Sequence, residues 1–325
     1  MSGERFLVTG AHGCIGTWVV RGLVGEGVAV TALDIGAEPH RWPLVMSAEE
    51  IAQVRRAPAD ITDLEQVDAV IAAHDITHVI HLAALQVPFC RADPPLGARV
   101  NVVGTVNVFE AVKRRGGGVE AVVYASSIAA YDAIEGGGGT ADMAAMPGTL
   151  YGVYKRANEG TAHVYWADHG VASVGLRPHT VFGPARDQGL TSSPTTAMLA
   201  AAAGRPYRIP FGGRSQFQYA PDAATAFIAA ARAGASGATV HNLAGTSVDM
   251  SEVVAAITAA APESAGRIEY DELLLPFPGQ VDARSFEQLV GAIPETPFPA
   301  AVADSVARFR DLIDRGLVDV SRALG

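Results

Sequence analysis

Three side chains in the middle of the sequence have the chemistry to move a proton. Tyr151 and Lys155 stand four residues apart in Tyr-Gly-Val-Tyr-Lys, and Ser127 lies 24 residues before the tyrosine. On a helix, positions i and i+4 share a face, so this phenol and ammonium would sit side by side. Oxidising a secondary alcohol needs a base for the hydroxyl proton, and a phenol with a pKa of about 10 is a poor one at neutral pH. A neighbouring ammonium stabilises the phenolate and lowers that value. A serine hydroxyl would hold the substrate oxygen and polarise a carbonyl in the reverse direction. Ser126 is the alternative donor. Tyr154 has no lysine or arginine four residues on. Such chemistry also requires a hydride acceptor and elements to hold it.

The first 34 residues describe the place for that acceptor. Phe6-Leu7-Val8 reads as a buried strand, followed by Thr9-Gly10-Ala11-His12-Gly13-Cys14-Ile15-Gly16. Trp18, Val19, Leu23 and Val24 then fall at helical spacing, and a second apolar strand, Val28 to Leu33, ends on Asp34. Strand, glycine turn, helix, strand and terminal acid form a dinucleotide-binding βαβ unit. Gly10 allows the sharp turn, Gly13 lets the backbone approach a pyrophosphate, and Gly16 lets the helix pack close to the sheet. Cys14 and Ile15 stand in the same turn, where the helix start offers unpaired N–H groups to phosphate. Asp34 can accept from a ribose diol and would repel a 2′-phosphate. No Arg or Lys follows until Arg41, so NAD is expected rather than NADP. Its positive nicotinamide would join Lys155 in favouring the Tyr151 phenolate.

Gly10-x-x-Gly13-x-x-Gly16 after Thr9, with Tyr151-x-x-x-Lys155 downstream, resembles the extended short-chain dehydrogenases/reductases, the NAD-dependent epimerase/dehydratase family. The resemblance runs to about residue 300 and assigns further roles. It makes Ser127 the catalytic serine, Asp60-Ile61 an adenine-contacting pair, and His81-Leu82-Ala83-Ala84 the fourth-strand signature. The small residues at that strand end leave room for the cofactor. It also implies that Asn101, in Asn-x-x-Gly-Thr, ties a helix to the neighbouring strand and the active site. Pro178 and Val181, in Leu-Arg-Pro-His-Thr-Val-Phe-Gly-Pro, would border the nicotinamide carboxamide. The fold implied is α/β, a Rossmann-type doubly wound parallel sheet with a smaller C-terminal substrate-binding lobe. Residues 1–182 would form the NAD-binding part and 183–325 mainly the lobe, with segments returning to the sheet. By the same analogy the chain is a homodimer, joined through the helices that begin near residues 99 and 151.

Composition narrows the class. A chain of 325 residues that is 49% apolar can bury one large core or two unequal ones. The net charge of −10 opposes nucleic acid or an anionic membrane as partner. Two cysteines make no disulfide framework, the first strand starts too early for a signal peptide, and no uncharged apolar run is long enough to span a bilayer. A cytoplasmic enzyme acting on a small molecule, without a metal, is expected.

Between these landmarks, residues 36–58 read as an irregular surface connection with a short helix, and Leu64 to Ile71 as a helix. His78 to Ala84 reads as a strand, with His81 packed rather than catalytic. Leu85 to Pro95 reads as a loop over the carboxyl edge of the sheet, bringing Gln86 and Cys90 near the substrate. Both cysteines read as plain buried thiols. A helix from Arg99 to about Arg115 ends at Gly116-Gly117-Gly118, Val119 to Tyr124 is a strand, and Gly136 to Gly148 is a mobile glycine-rich run. Val174 to Pro178 and Thr239 to Leu243 read as strands. Ala223 to Ala233, Met250 to Ala261 and Asp304 to Leu324 read as helices.

Three departures bear on the reaction. Dehydratases of the resembled family place Thr-Asp-Glu where this chain has Ser127-Ile128-Ala129, so elimination of water lacks its acid–base pair. Sugar-nucleotide epimerases carry Asn at the position of Thr180 and an arginine for the diphosphate, whereas Arg214 here falls one place out of register. The segment Arg186 to Pro210 is rich in hydroxyls, which suits a polyol or sugar acid, with Arg186 able to grip a carboxylate or phosphate. The expected activity is NAD-dependent oxidation or reduction of a secondary alcohol on a sugar-like, sugar-acid or polyol substrate. An epimerase that oxidises and re-reduces with retained cofactor is the alternative. A non-catalytic NAD-binding sensor comes third.

Overall fold

A computed structural model describes residues 3–36, 38–131, 146–275 and 277–324. In chain order its strands are β1 Arg5–Thr9, β2 Ala29–Asp34, β3 Arg55–Pro58, β4 His78–His81, β5 Val122–Ala125, β6 Ser173–Arg177, β7 Thr180–Phe182, β8 Tyr207–Ile209, β9 Arg214–Tyr219, β10 Ala238–Asn242, β11 Thr246–Asp249 and β12 Ile268–Tyr270. Seven of them form one parallel sheet in the order β10-β6-β5-β4-β1-β2-β3. From β1 the chain winds outward in both directions, through β2 and β3 on one side and β4, β5, β6 and β10 on the other. The crevice at this switch point lies outside the carboxyl ends of β1 and β4, where doubly wound sheets bind ligands. Register makes the edge common: Thr9 pairs with Leu33 on one side and His81 on the other. The glycine turn, Asp34 and Leu82 therefore leave the sheet at one level.

Both faces are covered, as a parallel sheet requires. On one, Val19, Val20 and Leu23 of the helix Cys14–Gly25 share a core with Phe227 and Ile228 of the helix Ala220–Arg232. On the other, Val67, Ile71, Val108, Phe109, Val112 and Ala162 come from the helices Leu64–Ala73, Gly104–Arg114 and Leu150–His169. A smaller body combines the sheets β11-β9-β7 and β12-β8 with the helices Ser193–Ala202, Met250–Ala260 and Phe298–Asp314. Phe182, Phe217, Tyr219 and Phe298 interlock at its centre.

The doubly wound fold expected from the sequence is present, with local corrections. Arg-Arg-Ala-Pro at 55–58, read as irregular, is the edge strand β3. An edge strand needs no continuous apolar run and tolerates proline, so it left little pattern. The stretch 85–95, read as a loop, forms the helices Val87–Ala92 and Pro94–Ala98. Their prolines sit in the first turn, where the missing N–H costs nothing, so they start helices instead of breaking them. The terminal helix is two, Phe298–Asp314 and Val320–Leu324. Most of the glycine-rich run 136–148 lies outside the described residues.

Candidate active site

The glycine turn is shaped by backbone contact. Gly10 has φ +65°, and a Cβ there would lie 2.6 Å from the Ala83 nitrogen; one at Gly16 would lie 2.2 Å from the Gly10 oxygen. Two loops and a helix start thus close to a distance that only glycine permits. The helix beginning at Cys14 has neither a capping side chain nor an acid in its first turn, so its leading N–H groups stay available to phosphate. Trp42 and Arg41 brace the turn from behind. Trp42 Nε1 donates to the Ala11 oxygen at 3.0 Å, Arg41 Nη1 to the His12 oxygen at 2.9 Å, and Arg41 Nη2 to Asp187 at 2.7 Å. Arg41 is therefore occupied by its own chain. Asp34 Oδ2 accepts from the His12 N–H at 2.9 Å, which holds the carboxylate at the end of β2.

The helix Leu150–His169, which carries Tyr151 and Lys155, is capped by Thr149 Oγ1, which accepts from the Gly152 N–H at 3.0 Å. A Cβ on Gly152 would fall 2.0 Å from the Ala129 oxygen, so the glycine lets the helix press against the turn that follows Ser127. This brings Ser127 and Tyr151 onto the wall of one cleft. Ser127 Oγ accepts from the Ala129 N–H at 3.1 Å, which fixes its rotamer. Lys155 is buried, donates to the Ala125 oxygen at 2.6 Å, and sits 5.5 Å from the centre of the Tyr151 ring.

One cleft brings most of the expected residues together. Its cofactor end has Gly10, Gly13, Cys14, Ile15, Gly16, Leu82 and Ala84; its chemical end has Ser126, Ser127, Tyr151, Lys155, Pro178 and Val181. Gln86 and Arg186 line it as well, each with one buried polar atom, Oε1 and Nε, that has no partner among the described residues. Ser126 reaches it, but its hydroxyl donates to Glu159 at 2.5 Å. Asn101 stands behind the wall: its amide both accepts from the Leu85 N–H (2.7 Å) and donates to the Leu85 oxygen (2.8 Å). Ala83 touches the turn from below. Asp60 and Ile61 lie past the end of β3, where Asp60 accepts from the Thr62 N–H and Ile61 packs on Gly104. Arg214 does not line the cleft; it is exposed and donates to the Ser247 oxygen and to Glu252.

The cleft also contains His179, Thr180, Leu190, Thr191 and Phe277. Phe277 carried no sequence signal, because an isolated Pro-Phe-Pro run fits any surface turn. His179 is partly buried and its Nε2 lies 2.6 Å from the Pro278 oxygen, which holds the segment with Phe277 over the cleft. Burial pulls its pKa down to about 4. His81, between Thr9 and Thr105 hydroxyls, is pulled to about 3 by burial and then by Lys155. Both imidazoles are neutral at pH 7, as a packing role requires. Burial lifts the Cys14 thiol to about 11 and raises Cys90, so neither is a nucleophile.

The Tyr151 phenol and the Lys155 ammonium are tuned in opposite directions. Burial raises Tyr151, with the Ser127 hydrogen bond and then Arg186 working against it. Burial lowers Lys155 to about 8, opposed by Cys90 and Glu159. At pH 7 the site holds a phenol beside an ammonium.

Known proteins resemble this chain over most of its length. The model of the NAD dependent epimerase/dehydratase family matches residues 6–244. The chain belongs to this family. It is 30% identical over 322 residues to a UDP-glucose 4-epimerase of Mycolicibacterium smegmatis, covering 94% of this chain and 99% of that protein. It is 32% identical over 188 residues to UDP-glucuronate 4-epimerase 2 of Arabidopsis thaliana, covering 56% of this chain. The chain spans under half, 43%, of that plant protein. Among solved structures, the UDP-glucose 4-epimerase of Thermus thermophilus in complex with NAD superposes with TM-score 0.78 at 27% identity, covering 94% of this chain and 99% of that one. The holo L-threonine dehydrogenase of Cupriavidus necator shares the fold, with TM-score 0.78 at 24% identity, covering 94% and 99%. NAD is the cofactor of this family, and the uncapped helix start, the glycine cradle and Asp34 fit it.

Proposed function

We propose that the protein is an NAD-dependent oxidoreductase acting on a secondary alcohol of a sugar-like, sugar-acid or polyol substrate. The observation that carries this reading is the convergence of Ser127, Tyr151 and Lys155 at one end of a cleft whose other end is the glycine cradle. NAD, when bound, accepts the hydride of the carbinol carbon or returns one. The chain does the rest. Ser127 holds the substrate oxygen, Tyr151 takes its proton in oxidation and gives it back in reduction, and Lys155 keeps positive charge beside the phenol. Arg186 offers a guanidinium to a carboxylate or phosphate on the substrate.

A second reading, a cofactor-retaining sugar-nucleotide epimerase, is supported by full-length similarity to a UDP-glucose 4-epimerase. It needs the alcohol oxidised to a ketone, the ketone turned over in the cleft and hydride returned to its other face. The outward pairing of Arg214 with Glu252 weighs toward the first reading, because a diphosphate calls for cations. Absorbance at 340 nm separates the two with NAD⁺ and a panel of polyols, sugar acids and nucleotide sugars. Steady NADH growth with a non-nucleotide alcohol establishes the oxidoreductase. A new epimer from a nucleotide sugar without net NADH establishes the epimerase, and no turnover of either kind overturns both.

The molecule is further proposed to be a cytoplasmic homodimer with a cofactor part at 1–182 and a substrate lobe at 183–325. Free Cys14 and Cys90 support a reducing compartment, and no helix among the described residues is long and apolar enough to cross a membrane. Exposed Val153, Val164 and Trp166 on the catalytic helix support a helix-to-helix dimer, which sedimentation equilibrium checks.

A further inference from the structure

Two buried polar atoms on the cleft wall have no partner among the described residues: Oε1 of Gln86, an acceptor, and Nε of Arg186, a donor. They come from remote segments and meet at Gly189. A Cβ there would lie 2.1 Å from Gln86 Oε1 and 3.2 Å from Arg186 Nη2. Gln86 stands at the N-cap position of the helix Val87–Ala92, yet its side chain makes no capping bond. It is turned to the cleft instead. A buried acceptor left open is costly, so this placement calls for a ligand.

Arg186 is presented from a strained backbone. The residue before it, Ala185, is buried and has φ +75°, a left-handed conformation that residues with a Cβ rarely adopt. Both sides of that point are tied down. The Pro184 oxygen accepts from Trp18 Nε1 at 2.9 Å, and Asp187 accepts from Arg41 Nη2 at 2.7 Å. The acid next in sequence is thus spent on another arginine. Arg186 Nη2 donates to Thr191 Oγ1 at 3.2 Å, and among the described residues no Asp or Glu lines the cleft.

These features select a ligand. The guanidinium asks for an anion. The amide oxygen beside it asks for a hydrogen-bond donor, and a phosphate dianion would bring only further lone pairs. An ammonium would answer the amide but be repelled by Arg186. A carboxylate with a hydroxyl on the next carbon answers both. We propose that Gln86 and Arg186 form one specificity subsite that reads the acid end of a polyhydroxy acid, Arg186 taking the carboxylate and Gln86 Oε1 the hydroxyl on the neighbouring carbon. The inference deepens the oxidoreductase reading and rests on it for turnover, but not for binding.

The test is calorimetric binding to the NADH-loaded protein, followed by kcat/KM with NAD⁺. The probes are D-gluconate, D-galactonate and D-erythronate, then the alditol and the 2-deoxy acid of the tightest binder, and inorganic phosphate. That aldonate should bind about tenfold or more tighter than its alditol and its 2-deoxy acid. Arg186→Met should erase the preference over the alditol. Gln86→Leu should erase the preference over the 2-deoxy acid and keep the other. Both variants should bind NAD as the parent does. A residue that merely packs would lower all three ligands equally. No binding of any aldonate, alditol or phosphate bound as tightly, or an equal loss for both acids in Gln86→Leu overturns the proposal. So does weakened NAD binding in either variant, which assigns the pair to the cofactor. If either variant does not fold, Gln86→Glu keeps the shape and sets an anion beside the carboxylate. It should lower aldonate affinity about 100-fold and leave the alditol unaffected; equal effects on the two overturn the subsite. Aldonates bound in the expected pattern but not oxidised support the subsite and remove only the oxidoreductase reading. Steady oxidation of a neutral polyol with no preference for acids removes only the subsite.

Discussion

The two ends of the cleft are made in different ways. The glycine-turn end is built from residues 5–34 and from Leu82 to Ala84 just past β4, and its shape comes from main chain touching main chain. The other end draws on Gln86, Ser127, Tyr151, Pro178 to Val181, Arg186 and Phe277, segments scattered between residues 86 and 277 that only the fold brings together. A turn defined by backbone contact tolerates no added atom. A pocket assembled by topology tolerates many at its rim and few at its centre.

Two glycine substitutions would break the halves separately. Gly16→Ala puts a methyl 2.2 Å from the Gly10 oxygen, so NAD binding, read by quenching of Trp fluorescence or by calorimetry, should be lost with all turnover. Gly152→Ala drives the catalytic helix off the Ala129 oxygen, 2.0 Å from the new carbon. It should keep NAD binding while kcat falls by about 10²-fold or more, because an ångström of misplacement at the reacting centre costs that much. Loss of NAD binding in Gly152→Ala would mean that the two ends are not separable. Tyr151→Phe should lower kcat by about 10²- to 10⁴-fold with the NAD dissociation constant unchanged.

Much of this was legible because chemistry and local backbone coincide. The glycine turn and Tyr-x-x-x-Lys are short motifs whose members meet through a turn or a helical period. The buried pairing of Glu159 was not legible, although it lies one helical turn beyond Lys155, because its partners Arg177 and Ser126 arrive from β6 and from just past β5. Phe277 and His179 were hidden for the same reason. Arg214 could be flagged as out of register from the sequence, but its outward turn to Glu252 needed the pairing of β9 with β11. β3 was missed because an exposed four-residue edge carries no core pattern.

Smaller effects sharpen the contrast. Lys155→Met should abolish most turnover, yet its effect on stability has the opposite sign at neutral pH. In the native state the ammonium is disfavoured, with a pKa near 8 against an ordinary 10.5. The penalty is therefore full below pH 8 and fades as pH rises toward 10.5. The Tm of Lys155→Met relative to the parent should accordingly be most favourable at pH 7 and lose ground by pH 10, in calorimetric scans; a difference that does not vary with pH would contradict the buried charge. Arg186→Met should raise KM for an acidic substrate about tenfold or more, in line with loss of a charge-assisted pair, and leave NAD affinity unchanged. A weakened NAD affinity would assign that guanidinium to the cofactor end.

β10 enters the large sheet only at residues 238–242, after the smaller body has begun, and pairs along the whole of β6. The helix Ala220–Arg232, which packs on the first helix of the glycine turn, is equally late. During synthesis, therefore, a chain that has emerged only to residue 182 holds both catalytic motifs yet exposes the bare edge of β6 and the apolar face of its first helix. Such a nascent chain is open to strand pairing with its neighbours. The later helix and strand, residues 220–232 and 238–242, cover the face and edge that residues 1–182 alone would leave open to such pairing.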